Sequence, residues 1–204
     1  MLDARAREAL KGLSDWTGRS LARVGFTANS LTALGIALSA VAAWRIADGA
    51  FLAGGLILAA GGVLDFCDGA VARARGTASR YGAFLDSVTD RVSDALVFSA
   101  FAWYFFRGGP GGSGVSPDGN ELMAGVALAA YGGSQLTSYI RAKAESLGYD
   151  CKTGILERAE RLILLCAGLI LGFVEIMLWA VAALSIVTVV QRLVHVVRQD
   201  RAGT

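Results

Sequence analysis

The chain has 204 residues, of which 54% are hydrophobic and 18% charged, with a formal net charge of +2. Soluble domains are about 45–50% apolar and about 25% charged, so the balance points to a membrane protein. It argues against a soluble enzyme, a secreted disulfide scaffold and a disordered tail. No segment alternates apolar and polar residues as an outer-membrane barrel strand does.

Residues 2–17 place Ala6, Ala9, Leu10, Leu13 and Trp16 on one helical face, with Arg5, Arg7 and Lys11 elsewhere. That is the pattern of a basic amphipathic helix lying in the membrane interface. Residues 1–24 are therefore expected to form an N-terminal amphipathic segment, and residues 25–204 an all-α domain of six transmembrane helices. A span of roughly 20 apolar residues crosses the hydrocarbon core. The spans are expected at about Asn29–Ala47, Phe51–Val71, Tyr81–Phe106, Leu122–Tyr139, Leu162–Val174 and Ile176–Val197, the fifth continuing a helix that starts near Ile155. Between the third and fourth lies a flexible loop holding Pro110 and Pro117 among glycines. There is no internal repeat of the kind that marks inverted-repeat transporters.

Lys and Arg placement sets the orientation. With six spans, one side receives Arg5 through Arg23, Arg73 to Arg80, Arg141 to Arg161 and Arg192 to Arg201, and the other only Arg45 and Arg107. Both termini and the loops after spans two and four are expected in the cytoplasm, on a cell (inner) membrane. The charged N-terminus lacks the apolar core of a cleavable signal peptide.

Residues 65–94 break the apolar pattern, carrying Asp65, Asp68, Asp86, Asp90 and Asp94 at or inside span ends. One Asp at mid-membrane depth costs about 2.5–3.5 kcal/mol on insertion scales, so something must compensate. Residues three or four apart share a helix face, which pairs Asp65 with Asp68 and Asp86 with Asp90. If the two helices pack antiparallel across the 74–80 turn, four carboxylates converge. Carboxylate oxygens without imidazole or thiolate suit hard cations such as Mg²⁺ or Mn²⁺, and a pair of such ions serves phosphoryl transfer. Two other readings of the acids are ion pairing with Arg73, Arg75, Arg80 and Arg91, and a cation or proton-coupled transport path. Gly69 and Ala72 leave space beside the helix, Gly82 opens the next one, and Arg73 can fork onto phosphate. These features favour a phosphate ester.

His195 is the one histidine, so neither a histidine-rich zinc site nor a Ser-His-Asp triad is expected. It reads as an interfacial or packed side chain. Cys67, Cys151 and Cys166 lack CxxC spacing and read as free thiols.

The positions Asp65-x2-Asp68-Gly69-x2-Ala72-Arg73-x8-Gly82-x3-Asp86-x3-Asp90 resemble the full signature of the CDP-alcohol phosphotransferase family. The resemblance implies transfer of a phosphatidyl group from a CDP-linked lipid to an alcohol, with release of CMP. It further implies divalent cations, Mg²⁺ or Mn²⁺ and expected as two ions, and a homodimer; no nucleic-acid partner is expected. On this resemblance Asp65, Asp68 and Asp86 ligate the metals with Asp90 close by, and Asp90 is the general base. Gly69, Ala72, Arg73 and Gly82 bind the CDP-lipid. Asn29 and Thr32 resemble a family segment Pro-Asn-x-x-Thr near the nucleotide, with Ala28 in place of the proline.

A second basic set, Arg141, Arg158, Arg161 and Arg192, lies at the same boundary and calls for an acceptor that carries its own phosphate. The segments DRVSD, SYIRAKAE and GILERAER resemble those of bacterial phosphatidylinositol-phosphate synthases within that family. The implied reaction joins CDP-diacylglycerol to inositol phosphate, giving phosphatidylinositol phosphate and CMP. Glycerol 3-phosphate, giving phosphatidylglycerophosphate, is the alternative acceptor, and an archaeal-type lipid donor is a further variant. Asp94 is expected to face the acceptor or to pair with Arg91 or Arg141. Glu157 and Glu160 are expected to orient neighbouring arginines.

Overall fold

The computed structural model describes residues 20, 23, 25–77, 79–109 and 120–203. The expected interfacial helix at 2–17, both prolines and the middle of their loop lie outside the described residues. Among the described residues there are six long α-helices: α1 (Ala28–Ala47), α2 (Phe51–Ala74), α3 (Arg80–Phe106), α4 (Glu121–Ser146), α5 (Arg158–Leu171) and α6 (Val174–Ala202).

Local chemistry starts the helices where the sequence changes character. A reciprocal capping box opens α1, with Ser30 N–H donating to Thr27 Oγ1 at 3.1 Å and Thr27 N–H to Ser30 Oγ at 3.0 Å. Ser79 caps α3 by accepting from Gly82 N–H at 3.0 Å, and Asn120 caps α4 through Met123 N–H. Gly172 ends α5 in the left-handed region (φ 78°). This stop falls at Leu171, three residues short of the expected Val174.

The helices close into a ring. α1 packs on α2 and α3, α3 on α4, α4 on α6, α6 on α5, and α5 back on α2. α2 and α3 have no close backbone contact with each other. α1 packs on both, and their acidic faces meet across the interior. Towards one end of the ring, Phe98, Phe101, Leu169, Leu178 and Val181 fill the centre completely. Towards the acidic end the apolar filling shrinks to Leu31, Cys67 and Val71. Packing thus seals one end and leaves the other for polar side chains.

The outside is greasy. Leu52, Val63, Phe66, Ile163, Ile176, Trp179 and Ile186 are all more than half exposed, an apolar coat that suits lipid and not water. Arg45 lies over Trp44, and Arg107 over Trp103, both 5.5 Å from the ring centre, at the C-terminal ends of α1 and α3. By length and composition, α1, α2 and α6 are apolar enough to cross a membrane. α3 misses that standard because of its aspartates, and α4 because of its polar and charged residues. α5, at 14 residues, measures about 21 Å against a hydrocarbon core of about 30 Å.

The expected helix start near Ile155 is also corrected, since α5 begins at Arg158. Residues 149–156 instead lie along α6, held by side chains. Tyr149 Oη donates to Asp200 at 2.7 Å, Asp150 N–H to Gln199 at 3.0 Å, Ile155 N–H to Gln191 at 3.2 Å and Leu156 N–H to Thr188 at 3.1 Å. Gly154 sits at φ +139°, and a Cβ there would come within 2.6 Å of Thr188 Cγ2. This strap delivers Glu157 and Arg158 to the acidic end. Cys151 within it is fully buried. All three cysteines are unpaired, as their spacing indicates.

Candidate active site

The acidic residues stand on two helices facing one another across the ring. Oxygens of Asp65 and Asp68 on α2 and of Asp86 on α3 lie within 4.8 Å of one another. A divalent cation with metal–oxygen distances of about 2.0–2.6 Å can touch ligands that far apart. All the donors are hard oxygens. The trio therefore fits Mg²⁺, Mn²⁺ or a similar cation on both spacing and chemistry. Asp90, expected among the ligands, lies outside this trio.

Asp68 is buried and oriented by α1. Thr32 Oγ1 lies 2.8 Å from Asp68 Oδ2 and 3.0 Å from the carbonyl of Ala28, so its one proton serves either acceptor. Thr32, read from the sequence as a nucleotide contact, is thus also a support for a metal-ligand candidate.

Asp65 and Asp90 share a cation from the chain itself. Arg158 Nη1 approaches Asp65 Oδ2 at 2.6 Å, and its Nη2 lies 3.3 Å from Asp65 Oδ1. The same Nη2 touches Asp90 Oδ1. The geometry of that contact is that of an ion pair and not of an aligned hydrogen bond. Asp90 is 7% exposed, and Arg91 adds a looser contact at 3.8 Å.

Two chambers open on either side of the acids. The first, about 550 Å³, is bounded by Asp65, Asp68 and Asp86 and takes in Asn29, Thr32, Gly69, Ala72, Arg73 and Gly82. Every residue read as a CDP-lipid contact thus faces one space. The glycines keep it open: a Cβ at Gly69 would meet Arg73 Nη1 at 3.4 Å, and one at Gly82 would meet Ser79 Oγ at 3.3 Å.

The second chamber, about 370 Å³, takes in Arg141, Arg158, Arg161 and Arg192, with Asp86 and Asp90 on its acidic side. Asp86 lines both chambers, so the two spaces meet at the acids. Ser138 and Thr137 also line the second chamber; the sequence reading passed over both, and a small hydroxyl one turn before Arg141 was the available signal.

The four arginines are not equivalent. The side chains of Arg141 and Arg158 are 37% and 39% exposed, whereas those of Arg161 and Arg192 are each 3% exposed. Arg192 Nε donates to the Thr153 carbonyl at 2.7 Å, its Nη1 to the Thr137 carbonyl, and its Nη2 reaches Glu157 at 3.5 Å. It ties α4, the strap and α6 together. Glu157 also meets Arg141 at 3.6 Å, in keeping with its expected orienting role, while Glu160 is exposed. Asp94 pairs with Arg161 at 2.6 Å, a correction to the expected partners Arg91 or Arg141. His195 lines neither chamber.

Comparison with known proteins gives relatives along nearly the whole chain. The CDP-alcohol phosphatidyltransferase family matches residues 26–191. A phosphatidylinositol phosphate synthase of Mycobacteroides abscessus is 36% identical over 201 residues, which cover 95% of this chain and 87% of that protein. The phosphatidylinositol phosphate synthase of Mycobacterium tuberculosis, crystallised with CDP-DAG bound, superposes with a TM-score of 0.78 at 32% identity, covering 90% of this chain and 92% of that one. The same protein crystallised with manganese and citrate superposes with a TM-score of 0.77, also at 32% identity, covering 90% and 88%.

Proposed function

The chain belongs to the CDP-alcohol phosphatidyltransferase family, and from that premise we propose that it transfers a phosphatidyl group from CDP-diacylglycerol to inositol phosphate. The products are phosphatidylinositol phosphate and CMP. The observation that carries this reading is the meeting of the two chambers at Asp86, one with small residues and Arg73, the other walled by arginines. A donor diphosphate in the first and a phosphorylated alcohol in the second place the nucleophile and the scissile phosphorus on either side of the carboxylates. Membership of a transferase family removes the transporter reading of the acids.

Asp65, Asp68 and Asp86 are the residues to hold Mg²⁺ or Mn²⁺, as two ions with Asp90 a further ligand. Bound there, divalent cations supply positive charge against the diphosphate and against the leaving CMP. Asp90, facing the second chamber, takes the proton of the acceptor hydroxyl. Arg73 holds donor phosphate beside Gly69, Ala72 and Gly82, with Asn29 and Thr32 at the nucleotide. Arg141 and Arg158 present guanidinium edges to the acceptor's phosphate, and Arg161 and Arg192 back them from within the wall.

All six helices cross the cell membrane in this reading, with α3 and α4 carrying their charges at the acidic end and α5 spanning together with the strap. The Lys/Arg bias puts the active site and both termini in the cytoplasm. The exposed apolar flanks leave room for a homodimer.

The test is CMP release by the protein in liposomes containing CDP-diacylglycerol and Mg²⁺, with inositol phosphate or glycerol 3-phosphate added. Inositol phosphate is expected to stimulate release; stimulation by glycerol 3-phosphate alone moves the assignment to phosphatidylglycerophosphate synthesis. Arg158→Ala is expected to raise the acceptor KM roughly 10–100-fold, the equivalent of charged hydrogen bonds worth about 1.5–3 kcal/mol. Steady-state kinetics at fixed donor checks it.

A further inference from the structure

Two cations stand at the end of the ring away from the acids, and each has a tryptophan beside it. Arg45 in the last turn of α1 lies 5.5 Å from the centre of the Trp44 ring, and Arg107, the residue after α3, lies 5.5 Å from that of Trp103. α1 and α3 pack against each other. Thr32 on α1 and Asp86 on α3 both belong to the acidic end, so the two helices run parallel and close together at the opposite end. The two indole–guanidinium pairs therefore stand on neighbouring helices at one boundary.

Their depth is shared by a third tryptophan. Twelve residues of α1 separate Thr32 from Trp44, thirteen of α3 separate Asp90 from Trp103, and thirteen of α6 separate Arg192 from Trp179. Each interval rises about 18–20 Å from the acidic end. Trp44, Trp103 and Trp179 are 61%, 49% and 51% exposed. Three helices thus present an indole outward at one depth, as side chains at a membrane–water interface do.

Charge separates the first two from the third. Among the described residues, Trp179 has no guanidinium over its ring. No carboxylate among them pairs with Arg45, although Asp48 is only three residues away. A ring contact takes one side of a guanidinium and leaves N–H donors that can fork onto phosphate oxygens. An indole at interface depth with such a cation beside it complements an anionic lipid headgroup.

We propose that the Trp44–Arg45 and Trp103–Arg107 pairs are binding points for the phosphate of an anionic phospholipid in the leaflet away from the acidic end. The indoles rest at the level of the headgroups, and the guanidinium edges hold the phosphate. Neither pair lines either chamber at the acids, so this lipid is distinct from any molecule bound there.

Tryptophan quenching by brominated lipid tests it with the full chain in phosphatidylcholine liposomes. Equal fractions of brominated phosphatidylglycerol or brominated phosphatidylcholine are compared in two backgrounds. Trp16→Phe/Trp179→Phe keeps Trp44 and Trp103, and Trp16→Phe/Trp44→Phe/Trp103→Phe keeps Trp179 alone. At Trp44 and Trp103 phosphatidylglycerol is expected to be preferred about fivefold, the equivalent of about 1 kcal/mol for an arginine near anionic lipid. At Trp179 the two lipids are expected to quench equally. Equal quenching in the first background, or the same preference at Trp179, overturns the proposal. Adding Arg45→Gln/Arg107→Gln to the first background is expected to bring the preference down to about one, and a fivefold preference that survives there overturns it as well. The comparison of the two backgrounds stands by itself if the arginine variant does not fold.

Discussion

Asp90→Asn is expected to lower turnover by roughly 10²–10⁴-fold, the usual contribution of a positioned general base, while binding of the CDP-lipid stays measurable. The side chain is 7% exposed, and its Oδ1 is ion-paired with Nη2 of Arg158. It lines the arginine-walled chamber and not the one that takes in Gly69 and Arg73. Asparagine keeps the shape of the carboxylate but takes no proton, and it leaves Arg158 with Asp65 as partner. Single-turnover CMP release, measured beside equilibrium binding of the donor, separates chemistry from binding. Normal turnover in the variant assigns the base elsewhere.

Asp68→Asn is expected to weaken metal binding. Thr32 can still donate to the amide oxygen at position 68, so the local fold is retained while one of three anionic ligands is lost. Changes to groups that merely support metal ligands cost roughly 10–100-fold in affinity, and removal of a ligand's charge is expected to cost at least that much. Mn²⁺ titration followed by electron paramagnetic resonance reads the affinity directly, without reference to turnover. Asp90→Asn, outside the trio, is expected to weaken Mn²⁺ less. An equal loss in the two variants contradicts the assignment of Asp65, Asp68 and Asp86 as the principal ligands.

The sequence made the helix faces legible because helical periodicity is local: Asp65 with Asp68, and Asp86 with Asp90, are a matter of spacing. Charge placement and the short gaps between apolar runs likewise gave the helices to within a few residues at most ends. Which helices stand side by side is a different kind of information. α1 packs on both α2 and α3, which have no close backbone contact of their own, and no short-range pattern carries that. The start of α5 was misplaced for a similar reason. Gln191 and Thr188, more than thirty residues away, claim the backbone donors of Ile155 and Leu156.

The arginines were legible as a set and not as individuals. Positive charge at one boundary was read from composition, and the structure brings all four into one chamber. Their division depends on what each guanidinium meets: carbonyls of Thr137 and Thr153 for Arg192, Asp94 for Arg161, and Asp65 with Asp90 for Arg158. Those partners come from distant helices and the strap, so only the closed ring reveals them.

The most direct test of the whole account is the mass of the lipid made by the protein in liposomes holding CDP-diacylglycerol and Mg²⁺, offered inositol phosphate and glycerol 3-phosphate together. The account predicts phosphatidylinositol phosphate, formed one for one with CMP. Phosphatidylglycerophosphate as the sole product, or no new phospholipid at all, contradicts it.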